Sequence, residues 1–361
     1  MKIANITNIT CCPVCNSSDL IKIKELKDYP ITELFVKKGE KKDFSITKVD
    51  QNFMTCRRCT HGFLNSVVSP EYLYSQSNYN TVTSTSAGAI LSVKNFSDFI
   101  KTNDYNKNCI IDVGGNDSFL LKEINALSGY IIDPNAKVSD HNKSYKAINS
   151  FFEEIDVNTF TEKSLTIVSS HTLEHIGSPI KFFEFLSSIK NADNIFLQFP
   201  CLELMIESGR YDLVNNQHLH YFTLGSIDYL ARKFDYLIER FEYDIEHYGT
   251  LRIALKKQTK SNNNNKMLNI DSNNYSFPKL KKEFENFHKS ANILNEILEK
   301  TENLYCYGAS LMLPILFWYH PSLFKSIGIY DQNINKTLLE YGNINVPILH
   351  DSENLNIENN S

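Results

Sequence analysis

The sequence predicts an α/β fold. Its core is Rossmann-like, a parallel sheet covered on both faces, with a small cysteine-bearing domain in front and a shortened second nucleotide-type fold behind. Three observations predict this arrangement. From Cys109 onward, short β-rich runs alternate with helical ones, and each run is apolar at successive positions, as strands buried on both faces are. A glycine turn follows the first of these runs. Ahead of them stand two Cys-x-x-Cys pairs in a stretch with no long helical period.

A chain of 361 residues with 42% hydrophobic content can bury a sizeable core and should divide into two or three domains. The 37 basic and 42 acidic residues give a formal net charge of -5, and neither sign is gathered into a long run, which argues against nucleic acid or a membrane surface as partner. Met1 to Thr10 lacks the basic region and apolar run of a secretory signal, and no window offers the ~20 uninterrupted apolar residues of a membrane span. The most apolar window, Leu304 to Tyr319, is broken by Gly308 and Pro314 and reads as a buried strand and helix. Eight cysteines in a chain of this length do not imply a disulfide framework; a cytoplasmic setting with reduced thiols is expected. The chain is expected to be a monomer or weak homo-oligomer.

The first domain, residues 1–80, reads as irregular, with charged and polar residues between short apolar pairs and too little core to fold unaided. Cys12-Pro13-Val14-Cys15 and Cys56-Arg57-Arg58-Cys59 can each put two thiolates on one ion, and four thiolates close a tetrahedral structural zinc site that supplies the missing folding free energy. Cys11 adjoins the first pair, but the spacing favours Cys12 with Cys15, Cys56 and Cys59. A closed four-thiolate site has no open position, so this Zn2+ should hold the fold and do no chemistry. A zinc ribbon for nucleic acid is disfavoured by the negative net charge.

The core domain spans 81–256. Its strands are expected at Cys109–Val113, Tyr130–Asp133, Leu165–Val168 and Asn194–Leu197. After the first comes Asp112-Val113-Gly114-Gly115-Asn116-Asp117-Ser118, and then a helix from Phe119 to Glu123. Glycines permit a tight turn and close approach to a ligand, and the helix N-terminus supplies free amides. About twenty residues on, Asp133 ends the next strand, where a carboxylate can accept hydrogen bonds from ribose hydroxyls. The GxGxxG spacing that cradles a pyrophosphate is absent, and Asp112 suits the cationic methionine end of S-adenosylmethionine, so this methyl donor is the expected cofactor. Residues 257–274, rich in Ser, Asn and Lys, read as a linker. The last domain, 275–361, opens with a helix whose Leu280, Phe284, Phe287, Ala291, Leu294 and Leu298 line one face, with Pro278 in its first turn. A strand at Leu304–Tyr307, a turn at Gly308 and a helix start at Ser310 follow, then a strand ending at Asp331, and a polar tail from Glu353.

With these motifs in order, the chain resembles the sugar C-methyltransferases that act on nucleotide-linked keto-deoxysugars, from Cys12 to about Ile348. The paired CxxC motifs, the tyrosine-rich Pro70 to Tyr74 and Tyr79, the turn Gly114 to Asp117, Ile132-Asp133-Pro134 and His171-Thr172-Leu173-Glu174-His175-Ile176 are similar to family segments. So are Phe199-Pro200, Tyr211-Asp212, Gln217-His218-Leu219-His220-Tyr221-Phe222, His247 to Arg252 beside the glycine-rich HGGSLR motif, and Tyr307-Gly308-Ala309 with Asp331. The resemblance implies a class I S-adenosylmethionine methyltransferase core, a nucleotide-linked sugar substrate, and a cofactor set of Asp112, Gly114, Gly115, Asn116, Asp117, Asp133, Phe151 and His171. The chain departs from the family where the chemistry would be. Asn215-Asn216-Gln217-His218 stands where the family has Tyr-His-Glu-His, Gln198 replaces a glutamate, Ser118 a turn glycine and Tyr248 a glycine.

Carbon methylation needs a base to form an enolate and a group to stabilise its oxygen. The candidate catalytic residues are His218 as base, because imidazole titrates near neutral pH, with Tyr79, His171 and His175 to position the sugar or carry the oxyanion. Gln217 keeps the shape of a glutamate without its charge. His220 should share the face of His218 if the segment is extended. The expected activity is methyl transfer to carbon or oxygen of the sugar. The alternative is a catalytically silent relative serving as a partner in a glycan pathway.

Overall fold

The structure is a computed structural model that describes residues 4–69, 72–73, 87–103, 105–138, 144–246, 249–258 and 276–352. The expected linker and polar tail lie largely outside the described residues, and Tyr79 and Tyr248 lie wholly outside them.

The first part of the chain forms β1 (Ile6–Asn8), β2 (Leu20–Pro30), β3 (Phe35–Lys37), β4 (Lys48–Cys56), β5 (Gly62–Leu64) and β6 (Ser66–Val68). It is therefore not irregular. β2 and β4 pair antiparallel along nearly their whole length, and β5 extends the sheet. The expectation failed because register shifts between Lys22 and Lys24 and between Leu26 and Tyr29 interrupt the ladder and break the alternation that would announce a strand. A fourth strand arrives from far along the chain, where β12 (His220–Tyr221) pairs with Phe63 and Gly62 of β5.

The core opens with α1 (Ala87–Lys101) and continues through β7 (Ile110–Val113), α2 (Phe119–Glu123), β8 (Gly129–Ile132), β9 (Tyr145–Ile148), β10 (Leu165–Ser170), α3 (Pro179–Ser188), β11 (Ala192–Pro200), α4 (Leu202–Ser208), α5 (Leu224–Lys233), β13 (Tyr236–Asp244) and β14 (Thr250–Lys257). These strands build one sheet in the order β13-β14-β11-β10-β7-β8-β9. β9, β8, β7, β10 and β11 run parallel, and β14 runs antiparallel to both its neighbours. Every residue of β7 and β8 is buried, which is why these strands read as apolar runs with Asp112 the one charged residue in them. From β7 the chain moves outward through β8 and β9, and from β10 the opposite way to β11, so a crevice opens beyond the carboxyl ends of β7 and β10, where ligands of such sheets sit.

The last part begins with α6 (Phe277–Lys300), capped by Ser276 and carrying a proline in its first turn. Its buried face is shorter than the periodicity predicts. Leu280, Phe284 and Ala291 are buried, but Leu294 is 45% exposed, because the segment that packs on this end of the helix, Pro321–Lys325, meets it at Asn295 and Glu299 instead. β15 (Tyr305–Tyr307), β16 (Gly328–Asp331) and β18 (Ile348–His350) form a parallel sheet. α7 (Leu313–Tyr319) starts three residues later than expected, leaving Ser310 to Met312 as loop. β17 (Leu339–Tyr341) leaves this unit to pair with β3, so the two ends of the chain are joined by a ladder. No helix among the described residues is long and apolar enough to cross a membrane.

Candidate active site

The loop after β7 is bent by its own surroundings. Gly114 takes φ of +80°, and a Cβ there would fall 1.9 Å from Thr172 Oγ1. At Gly115 a Cβ would lie 2.6 Å from the Asp112 carboxyl. Both glycines are thus required by protein side chains, a reason the sequence reading did not contain. Ser118, in the place of a third glycine, holds φ of +62°. Gly114→Ala should therefore cost about 3 kcal/mol or more, from left-handed strain and the Thr172 clash together, read as a shift of the urea midpoint.

Beyond this loop, at the crevice between β7 and β10, lies a cavity of about 560 Å³. Its lining includes every expected cofactor residue: Asp112, Gly114, Gly115, Asn116, Asp117, Asp133, Phe151 and His171. Of the expected catalytic residues it includes His171, His175, Gln217 and His218. Tyr79 falls outside the described residues. Glu33 from the first part of the chain and Ser310, Leu311 and Met312 from the last complete the wall.

Asp112 ends up buried with its Oδ2 unpartnered. Burial, and then the nearby Asp133 and Asp117, push its carboxyl up to about 8. Asp133 stands just past β8, where its Oδ2 accepts from Asn116 N at 3.3 Å and its Oδ1 from Asn135 N at 2.7 Å. Burial raises its carboxyl too, against those two hydrogen bonds. Phe151 offers a ring 42% exposed on the cavity wall.

The loop after β10 carries a polar cluster around Glu174, which sequence reasoning passed over between two histidines. Glu174 is buried; His171 Nδ1 lies 3.3 Å and His175 Nε2 3.8 Å from its Oε1. Burial works to raise the Glu174 carboxyl, but the His171 hydrogen bond and the pull of His175, His171 and His218 outweigh it and hold it at about 2. His175 is oriented by a 3.1 Å contact between its Nδ1 and the carbonyl oxygen of Gln217. Its ring meets His218 edge-on at 4.8 Å between centroids. Donor atoms of Glu174, His175 and His218 lie within 4.8 Å of one another, a spacing that the histidine contacts of Glu174 account for without an ion.

His218 was expected to titrate near neutrality. Burial first, and then His175, push its imidazole down to about 3, so it is neutral and weakly basic at physiological pH. Nor does His220 share its face. His218 lines the cavity and His220 does not, its ring being buried against Ile176 O at 2.9 Å and His61 Nε2 at 3.2 Å.

Behind His171 runs a chain of hydrogen bonds. Arg252 Nε donates to Gln198 Oε1 at 2.8 Å, Gln198 Nε2 donates to Ser92 Oγ at 3.0 Å, and Ser92 Oγ meets His171 Nε2 at 3.2 Å. The Glu174 carboxylate can only accept, so the His171 proton sits on Nδ1 facing it, and the neutral ring's Nε2 then accepts from Ser92 Oγ.

The two cysteine pairs converge. Cys12 and Cys59 sulfurs are 3.5 Å apart, those of Cys15 and Cys56 3.4 Å, and all four lie within 4.8 Å of one another. Four thiolates at the usual zinc–sulfur distance of ~2.3 Å would be about 3.8 Å apart, so this cluster fits Zn2+. Both pairs end in a left-handed residue, Asn16 and Thr60, whose amides return to Cys12 O and Cys56 O at 2.9 Å. Cys11 is not among the four. In the last part of the chain, Asp331 is engaged from within, by Lys336 Nζ and Ala309 N, both at 2.8 Å, and by Asn333 N.

Residues 91–240 match the family model described as a methyltransferase domain. This stretch is a methyltransferase domain. Its sheet, with the antiparallel β14 inserted beside β11, is the class I S-adenosylmethionine methyltransferase fold. Among solved structures, magnesium protoporphyrin IX methyltransferase of Synechocystis with bound S-adenosylhomocysteine is 11% identical, with a TM-score of 0.36 over 47% of this chain and 84% of that one. A putative S-adenosylmethionine-dependent methyltransferase of Listeria monocytogenes is 13% identical, with a TM-score of 0.35 over 46% and 100% of the two chains. One from Aquifex aeolicus is 12% identical, with a TM-score of 0.36 over 46% and 90%. No curated protein matches the chain. The methyltransferase domain supplies β7, β10 and the loops beyond them. The flanking parts supply Glu33 and the loop 310–312.

Proposed function

We propose that this chain transfers the methyl group of S-adenosylmethionine to a carbon or oxygen of a nucleotide-linked sugar. Asp112 carries the cofactor half of the reading: a buried carboxyl with an unpartnered oxygen, in a cavity it shares with Asp133 and Asp117, calls for a cation. The methionine end of the methyl donor brings an ammonium and a sulfonium, Asp133 suits the ribose hydroxyls, and Phe151 the adenine. The acceptor class rests on the resemblance of the order of motifs, from the cysteine pairs to Asp331, to sugar C-methyltransferases. The four cysteines would hold a structural zinc, and residues 1–80, 81–256 and 275–361 would be the three domains.

Incubating the purified chain with labelled S-adenosylmethionine and a panel of keto- and hydroxy-nucleotide sugars tests the reading, and transfer to at least one is expected. The low basicity of His218 favours a second reading, a catalytically silent relative that binds cofactor or sugar. Tight calorimetric binding of S-adenosylhomocysteine with no transfer to any acceptor would select it.

A further inference from the structure

We propose that Glu33, contributed by the first part of the chain, is the carboxylate that accepts the substrate proton in this cavity. The inference rests on the methyl-transfer reading above.

Glu33 lines the cavity together with Gln217 and His218. Its place is fixed from several sides. Thr32 N and Thr32 Oγ1 both donate to Asn216 Oδ1, at 3.0 and 3.3 Å, which seats the turn against the residue before Gln217. Tyr29 OH donates to Val214 O. From the far end of the chain, Asn343 Nδ2 donates to Ile31 O at 2.8 Å and Gly342 N to Leu34 O at 2.7 Å. Between these clamps Glu33 adopts φ of +63°, a left-handed conformation that costs a non-glycine residue on the order of 1 kcal/mol or more and persists only where the surroundings over-determine it. Strain of this kind, held by contacts from two distant segments, presents a side chain to a cavity.

Chemistry separates Glu33 from the other candidates. Glu174 is already committed to His171 and His175 and is held at about 2, too weak a base. His218 is held at about 3. Burial pushes the Glu33 carboxyl up to about 7, against a hydrogen bond from the Gln217 side chain, which places it where a general base works best. The other ionisable groups on the cavity wall are His171, His175 and, in the cofactor half, Asp112, Asp117, Asp133 and Glu153. Gln217, which the sequence reading treated as a lost glutamate, becomes the amide that orients this carboxylate.

The step balances simply. Glu33 takes the proton from a carbon beside the sugar ketone, or from a hydroxyl, and becomes a neutral acid. The resulting enolate or alkoxide attacks the methyl carbon, the sulfur–methyl bond breaks, and its electron pair stays on sulfur as the neutral thioether. The proton then leaves Glu33 for water.

The test uses the full zinc-loaded chain. Methyl transfer from S-adenosylmethionine to the panel of nucleotide sugars is measured for the wild type, Glu33→Gln, Glu33→Asp and the exchange variant Glu33→Gln/Gln217→Glu. Glu33→Gln keeps size and hydrogen bonding, and calorimetric affinity for S-adenosylhomocysteine within about twofold of wild type will confirm that it folds. We expect it to lose roughly 10²–10⁴-fold in transfer rate and the acid-side limb of the pH profile near neutrality. Glu33→Asp should restore part of the rate, and the exchange variant, which moves the carboxylate across the hydrogen bond, at least tenfold over Glu33→Gln. A wild type that methylates while Glu33→Gln keeps its rate within threefold overturns this inference alone. A wild type that binds cofactor tightly but transfers to no acceptor also overturns it, in favour of the silent relative. No binding of S-adenosylmethionine would remove the methyl-transfer reading itself.

Discussion

On the proposed zinc site, chelating an ion held by Cys12, Cys15, Cys56 and Cys59 should destabilise the chain by at least about 5 kcal/mol and abolish the proposed methyl transfer, the largest effect expected of any single intervention. Structural zinc contributes its binding free energy to folding, on the order of 10 kcal/mol at neutral pH. Here the four cysteines do not stand apart from the rest. They belong to the same apolar cluster as Phe199, Phe222 and Leu224, so losing the ion would loosen residues on both sides of β12. β12 in turn follows directly on Gln217 and His218, whose amides are both held by Asn215 Oδ1, at 2.9 and 3.1 Å. The expected sequence of events on chelation is therefore a frayed antiparallel sheet, release of β12 from β5 and a collapsed acceptor wall. Scanning calorimetry with and without a chelator, repeated on Cys56→Ser, measures it. An unchanged melting curve with less than one zinc per chain by elemental analysis would contradict the assignment.

The second large effect concerns Asp112, where stability and binding should move in opposite directions. Its carboxyl is raised from the ordinary range to about 8, so the folded chain holds a proton there that the unfolded chain has already released. Where the folded state binds more protons, stability falls as pH rises, here across the window from about 4 to about 8. Asp112→Asn should flatten that fall and stabilise the ligand-free protein at pH 8 by a few kcal/mol. The same change should weaken S-adenosylmethionine binding by roughly 1.5–3 kcal/mol, a ten- to hundredfold loss, because the charge-assisted contact is gone. Binding of the cationic donor should also release a proton at pH 7, detectable as a buffer-dependent enthalpy. Thermal melts from pH 4 to 9 and titrations in two buffers decide the point. A flat melting profile in the wild type would remove the argument for a buried, uncompensated carboxyl.

Much of the central fold was legible. Ile110 to Val113 and Gly129 to Ile132 sit between sheet neighbours and between layers, so every position is buried and, Asp112 apart, none is charged, and the run announces itself. The glycines of the 114–115 turn were legible as a turn, although the reason for them, Thr172 and the Asp112 carboxyl, exists only in three dimensions. The first sheet was not legible, because its bulges hide the alternation of Leu20 to Pro30. His218 shows the limit of reasoning from residue type. A histidine's ordinary pKa says nothing once burial and a second imidazole set it. Glu174 could have been suspected from its position between two histidines. Glu33 carried no local signal at all, since its importance comes from Asn216, Asn343 and Gly342, each remote in sequence.

Those remote clamps have a kinetic corollary. Thr32 and Asn216 are 184 positions apart, and Ile31 and Asn343 are 312 apart. Contacts that close such long loops bring their reward only after the chain entropy between them has been lost, so they form late. A ribosome-bound chain can assemble the nucleotide crevice between β7 and β10 from nearby segments well before residue 343 emerges. The opposite wall must wait for it. During synthesis, then, the crevice between β7 and β10 can form while the turn that carries Glu33 is still unclamped, and the full cavity wall is assembled only after residue 343 has emerged.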